Sequence, residues 1–330
     1  MRQPSDHQRA LAHLRQRDWH KAHALVMDLE DKVAFHIHGL VHRLEGDMEN
    51  ARYWYAKAGV PLPRSLRLAS ELKKIESELE TALAGAPVDV LYHLAFLHGR
   101  TRSAAFAHEL EVIGTLHTLA AAVRAGVRHV IVPSTTLVYG ARPGNPVLID
   151  EEAPLHGSPG SRFVTDRVEV ERQLMAFRKD HPGVGLTVLR FAPVLGPTVD
   201  NPATRYFRRP VVPTLLGFDP LWQAVHEDDV RDLFVKLLEA PVSGTFNVVS
   251  EDVLPRSSLI RLAGTLPLPL PPPLARAALR GLNSAGITAT PGSLLDYLHY
   301  SWVADGARAR TRLGFRPRFG AREAAASVRS

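Results

Sequence analysis

The 330-residue chain has no cysteine. That excludes disulfides, thiolate zinc sites, iron–sulfur clusters and a thiol nucleophile. Nor does any run approach the roughly 18 consecutive apolar residues that a membrane-crossing helix needs. Residues 1–18 are polar and charged where a secretory leader would be apolar. A soluble, cytoplasmic protein without a transmembrane segment is therefore expected. Hydrophobic residues at 45% and charged residues at 22% are enough to build a buried core. At about 100–200 residues per domain, the length predicts two domains.

The net charge of +6 is local. Residues 1–85 are nearly balanced, whereas residues 267–330 carry nine arginines against three acidic residues. These arginines have no regularly spaced aromatic partners. The pattern describes a solvated basic face, and no nucleic-acid partner is expected.

From Asp6 to about Leu83, apolar residues recur three and four apart, broken only at Gly59 and Pro61-Leu62-Pro63. Four or five helices are predicted. Phe35, Gly39, Ala51, Tyr55, Ala58 and Pro63 have the spacing of one helical hairpin and resemble a single tetratricopeptide-type repeat. A lone repeat must pack on something, which implies a partner surface within the chain or on another protein. Seven of the 16 histidines lie here, and His38 and His42 stand i and i+4 on one helical face. Spacing fixes no third ligand and there is no His-Glu-x-x-His run, so packing is the expected role and no metal is predicted.

At Val88 the pattern changes. Apolar runs at 88–95, 129–134, 186–191 and 245–249 alternate with helices at about 104–125 and 165–178. Near-continuous apolar strands between helices predict a parallel sheet covered on both faces. Ligands in such sheets sit beyond the carboxyl ends of the strands, which here are His93-Leu94-Ala95, Ser134-Thr135-Thr136 and Ala192-Pro193-Val194. Residues 265–273 predict a stiff extended connector, and 274–282 a short amphipathic helix.

Five segments share one register: 88–95, 126–140, 150–155, Leu189-Arg190 with Val194-Leu-Gly-Pro197, and 225–230. Together they resemble the extended short-chain dehydrogenase/reductases, the NAD-dependent epimerase/dehydratase group, over about 88–320. The resemblance implies an α/β fold: an incomplete doubly wound, Rossmann-like parallel sheet, preceded by an all-α segment. It divides the chain into residues 1–85 and 86–330, with a substrate-covering lid part from about 195 onward. It also implies NAD or NADP as cofactor, with Ala95, Arg167, Pro193 and Val194 on the cofactor side.

Set against what that family's chemistry requires, the sequence is depleted. No Gly-x-x-Gly-x-x-Gly run exists to bring backbone against a pyrophosphate. The family's Tyr-x-x-x-Lys pair falls on Phe163 and Arg167. Phenylalanine has no proton to exchange, which removes acid–base help worth about 10²–10⁴ in rate. Arginine keeps the charge and could hold a ribose or phosphate. The family's catalytic hydroxyl falls on Thr135, beside Ser134, although a hydroxyl at a strand end is also an ordinary turn cap. An asparagine usual in the preceding helix is replaced by Glu111.

Three functions follow. The first is a non-catalytic descendant serving binding or regulation. The second is an oxidoreductase or epimerase with an altered acid–base, acting on a sugar nucleotide or another carbonyl or hydroxyl substrate. The third is a fused or truncated product of low stability. Without the family's first strands, the strand at 88–96 has an apolar open edge. Either the helix ending near Leu83 covers it, or two chains join edge to edge as a homodimer.

Overall fold

In a computed structural model of the chain, residues 6–15, 19–27, 29–45, 48–62, 77, 81, 88–94, 96, 108–284 and 292–329 are described. They fall into two compact units, one formed by residues 1–88 with 95–127 and the other by 89–94 with 128–330.

The first unit opens with α1 (Asp6–Arg15), α2 (Trp19–Val26), α3 (Lys32–Glu45) and α4 (Met48–Ala58). Asp31 starts α3 by accepting from the backbone N–H groups of Val33 and Ala34, the usual satisfaction of first-turn donors. Ala10, Leu11, Leu14, Ala22, Val26, Ile37, Leu40 and Val41 form the common core of α1–α3. The small and aromatic positions of the expected hairpin meet between α3 and α4, where a Cβ on Gly39 would stand 2.7 Å from the Tyr55 ring. Pro63 and Leu83 lie outside the described residues, as does the predicted helix at the strand edge. Later in this unit, a π-helical turn at Glu109–Ile113 runs into α5 (Gly114–Arg124), which ends before Gly126 at φ +67.

The second unit is built on a parallel sheet with strand order β1 (Val90–Tyr92), β2 (His129–Thr135), β3 (Gly185–Phe191), β8 (Gly244–Val248). Between β2 and β3 runs α6 (Arg162–Asp180), which begins three residues earlier than its periodicity suggests. Between β3 and β8 come β4 (Val194–Leu195), α7 (Pro202–Phe207), β5 (Val211–Leu215), β6 (Leu221–Trp222), β7 (Val225–His226) and α8 (Glu227–Glu239). The acidic first turn of α8 (Glu227, Asp228, Asp229) suits a helix N-terminus. Strand alternation sends Leu189 and Phe191 to one face, where Leu233 and Leu237 of α8 join them in a core. Arg190 points to the other face, toward α6.

After β8 follow β9 (Leu254–Pro255), α9 (Arg256–Leu262), β10 (Leu266–Leu270), α10 (Pro272–Ser284) and α11 (Ala321–Ala326). The expected extended connector at 265–273 is instead largely β10, paired in parallel with β5. Leu266 donates to Pro210, so the N–H groups at every second residue face β5, and Pro267 and Pro269 fall on the outer edge where no ladder bond is lost. Among the described residues, no helix is long and apolar enough to cross a membrane.

Gly140 closes the turn after β2 at φ 77, ψ 146, where a Cβ would lie 2.3 Å from the Gly157 carbonyl oxygen. Gly140→Ala is expected to cost at least about 2 kcal/mol in urea unfolding, because only glycine tolerates both that backbone region and that approach.

Candidate functional site

The carboxyl ends of β2 and β3 and the first three turns of α6 carry the residues singled out from the sequence. Thr135 is the last residue of β2, and its Oγ1 accepts from the Leu137 N–H at 3.2 Å, capping the 3-10 turn Thr136–Tyr139. The hydroxyl therefore has the turn-capping role that a Ser/Thr run at a strand end ordinarily takes. Ser134 Oγ donates to Glu171 Oε1 at 2.5 Å. Phe163 is the second residue of α6, with 37% of its surface exposed. One turn later, Arg167 is buried, with its guanidinium 5.4 Å from the Phe163 ring centre. Arg162 flanks them, paired with Asp166 at 3.1 Å.

Beneath this surface lies a buried polar network. Glu171, one turn beyond Arg167, receives Arg190 Nε at 2.9 Å and Nη2 at 2.5 Å on its Oε2. Arg190 Nη1 donates to the Tyr139 hydroxyl at 2.8 Å and to the Glu151 carbonyl at 3.0 Å. The Tyr139 hydroxyl in turn donates to Asn247 Oδ1 at 2.6 Å. Asn247 donates through Nδ2 to the carbonyls of Ile149 and Asp305, while its backbone N–H meets the Glu151 carboxylate. Burial alone would pull the Arg190 guanidinium down, but the Glu171 carboxylate and the Tyr139 hydroxyl raise it, and it stays charged. Burial pushes Tyr139 up to about 12 against the opposing pull of Arg190. At neutral pH Tyr139 is a protonated, doubly bonded structural group.

The structure brings Phe163 and Arg167 together and links Ser134 to the same helix through Glu171. Pro193 and Val194 are engaged elsewhere: the Pro193 carbonyl accepts from Val225 N–H at 3.1 Å, and Val194 pairs with Val225 in the two-stranded β4–β7 ladder. Ala95 lies outside the described residues. Sequence reasoning missed Asn247 and Glu151 as members of the network. Their only signals were an asparagine inside an apolar strand and a glutamate in the 150–155 segment.

A dinucleotide held for hydride transfer needs backbone N–H groups at a helix N-terminus for the pyrophosphate, and a proton donor beside the reacting carbon. The described residues do not fit it. In the second unit, α6 and α8 begin at the carboxyl end of the sheet, and α8 opens with three carboxylates that repel phosphate. Where the family resemblance puts the donor, the side chain is the phenyl ring of Phe163. A cleft of about 290 Å³ bordered by Thr214, Asp219, Arg256 and Ser257 includes none of Ser134, Thr135, Phe163 or Arg167.

Glu171→Gln removes the charge that compensates a buried guanidinium, and is expected to destabilise the protein by about 3–5 kcal/mol in urea unfolding. Thr135→Val, which loses one cap at a half-buried position, is expected to cost about 1 kcal/mol.

Residues 67–249 match the model of the NAD dependent epimerase/dehydratase family, a match that begins ahead of Val88, where the sequence motifs start. An uncharacterized protein from Mycobacterium tuberculosis is 34% identical over 236 residues, 70% of this chain and 62% of that protein. The chain thus spans less than two thirds of that relative's length. Among solved structures, UDP-glucose 4-epimerase from Thermotoga maritima, crystallised with UDP-glucose, aligns with a TM-score of 0.59 at 20% identity, over 78% of this chain and 81% of that one. The Bordetella bronchiseptica enzyme WbmG in complex with NAD aligns with a TM-score of 0.55 at 18% identity, over 76% and 74%. These structural likenesses carry the fold, and the family match, which covers more than half of the sequence, makes the chain a member of the NAD dependent epimerase/dehydratase family.

Proposed function

We propose that this chain is a non-catalytic member of its family, serving binding or regulation rather than epimerisation or reduction. One observation supports the reading: where the family resemblance puts the acid–base tyrosine stands Phe163, with the Arg167 guanidinium against its ring and no exchangeable proton on the side chain. Two hydroxyls nearby offer no substitute. Ser134 is committed to the Glu171 carboxylate, and Thr135 caps the turn that follows β2. Tyr139, pushed up to about 12 and bonded to Arg190 and Asn247, is no base at neutral pH. Arg167 retains a positive charge where the family resemblance puts a lysine, so attraction for an anionic ligand outlasts the proton chemistry.

Calorimetric titration of the full-length protein with NAD, NADH, NADP and NADPH is expected to show no micromolar binding, alongside a cooperative thermal melt. Micromolar binding of any of the four, together with nicotinamide turnover lost in Thr135→Val, would replace this reading with that of an enzyme using an altered acid–base. A melt without cooperativity would instead favour the unstable, fused product.

A further inference from the structure

Away from the family site, α2 and α3 bring three imidazoles together. His38 and His42 share one face of α3, one turn apart, with rings stacked at 5.1 Å and 15°. His23 of α2 meets both edge-on, with ring centres 4.4 Å from His38 and 4.9 Å from His42. One nitrogen from each of the three lies within 4.8 Å of the others, and His23 Nε2 is 2.6 Å from His38 Nε2. Among the described residues, no other three His, Asp or Glu side chains converge in this way.

We propose that His23, His38 and His42 form a zinc site that ties α2 to α3, with the fourth position open to water or an exogenous ligand. Three imidazoles and an open position make a complete tetrahedral donor set for Zn²⁺, and imidazole is among the ligands that zinc favours. With zinc–nitrogen distances of about 2.0–2.1 Å, tetrahedral ligand nitrogens stand roughly 3.4 Å apart. The His23 and His38 nitrogens therefore separate by less than about 1 Å to admit the ion. Nitrogens that stand up to 4.8 Å apart must close by up to about 1.4 Å to reach the same spacing, a movement that falls to the side-chain torsions.

The surroundings hold the donors ready. His38 is buried and stacked on Trp54 at 3.9 Å and 12°, which fixes the plane of the ring. His23 and His42 face it at ring-centre distances of 4.4 and 5.1 Å. Lys57 is the opposing charge. Its ammonium rests 4.3 Å above Phe35 and 5.0 Å above Trp54, a cation–π position that occupies it against the aromatic faces. Metal bound across α2 and α3 adds a link between two elements that also share the α1–α3 core, and binding free energy becomes folding free energy.

Full-length protein stripped with EDTA is titrated with ZnCl₂ by calorimetry, and its thermal melt is followed with and without Zn²⁺. One equivalent binding with micromolar or tighter affinity, with a raised melting temperature, is expected. His23→Gln and His42→Gln, at half-buried positions, should each weaken binding at least tenfold. His7→Gln, which alters a histidine paired with Asp31, should leave binding unchanged. Absence of binding at millimolar Zn²⁺, or affinity unaltered in both His23→Gln and His42→Gln, overturns the proposal. Should those variants fail to fold by circular dichroism, the wild-type protein loaded with Co²⁺ decides. An intense visible d–d absorption of a low-coordinate nitrogen site supports the proposal, and the weak spectrum of hexa-aqua cobalt refutes it.

Discussion

Arg190 places a guanidinium in the middle of the second unit, on the face of β3 that strand alternation turns toward α6. A buried cation must be matched or it is expelled, and Glu171 matches it with both oxygens, Arg190 Nε also reaching Oε1 at 3.1 Å. That one pair sets the register of α6 against the sheet. It fixes where Phe163 and Arg167 stand, two turns and one turn upstream on the same helix. It also recruits Ser134 at the end of β2, and Tyr139 in the turn that follows. Tyr139 then hands the network on to Asn247 in β8, so adjacent strands and the loop at 149–151 close around a single charge. The polar residues under the site are thus architecture, joining β2, β3, β8 and α6.

The separation of scaffold from chemistry follows from their different physical requirements. Replacing a tyrosine by phenylalanine on an exposed helix turn removes a proton and little packing, so the fold tolerates it. Removing Glu171 or Asn247 would strand buried donors and acceptors, and the fold does not tolerate that. A family likeness in the sheet, the turn at Gly140 and the α8 N-terminus therefore says much about shape and little about turnover. The zinc site inferred between α2 and α3 belongs to a different part of the chain and draws on a different property, the convergence of three imidazoles.

Much of the fold was legible from pattern alone. The strands β2, β3 and β8 are apolar runs bounded by glycine or polar turns, and their limits agree with the periodicity to within a residue. The acidic run Glu227–Asp229 opens α8, where acidic side chains favour the N-terminal dipole. The strand β10 was less legible, because proline usually argues against a ladder. Its prolines sit only on the side that donates nothing, a fact that depends on which neighbour the strand finds. The small ladders β4–β7 and β6–β9 are two residues long and leave no periodicity to detect.

By itself the sequence determined which residue types are present: no thiol, no glycine-rich phosphate turn, a phenylalanine where the family resemblance puts a tyrosine, and a run of motifs that points to the family. These are statements about residue identity and short-range order, which covalent sequence fixes directly. Only the tertiary structure decided what each polar residue is used for. Ser134 reads in the sequence as one hydroxyl of a strand-end run, and the fold of α6 brings the Glu171 carboxylate to it. His38 and His42 read as two histidines on one helical face, and His23, fifteen residues before His38 and on another helix, meets them only where α2 and α3 pack. Contacts between distant parts of a chain depend on how helices and strands fit against one another, and residue spacing along one element cannot encode that fit.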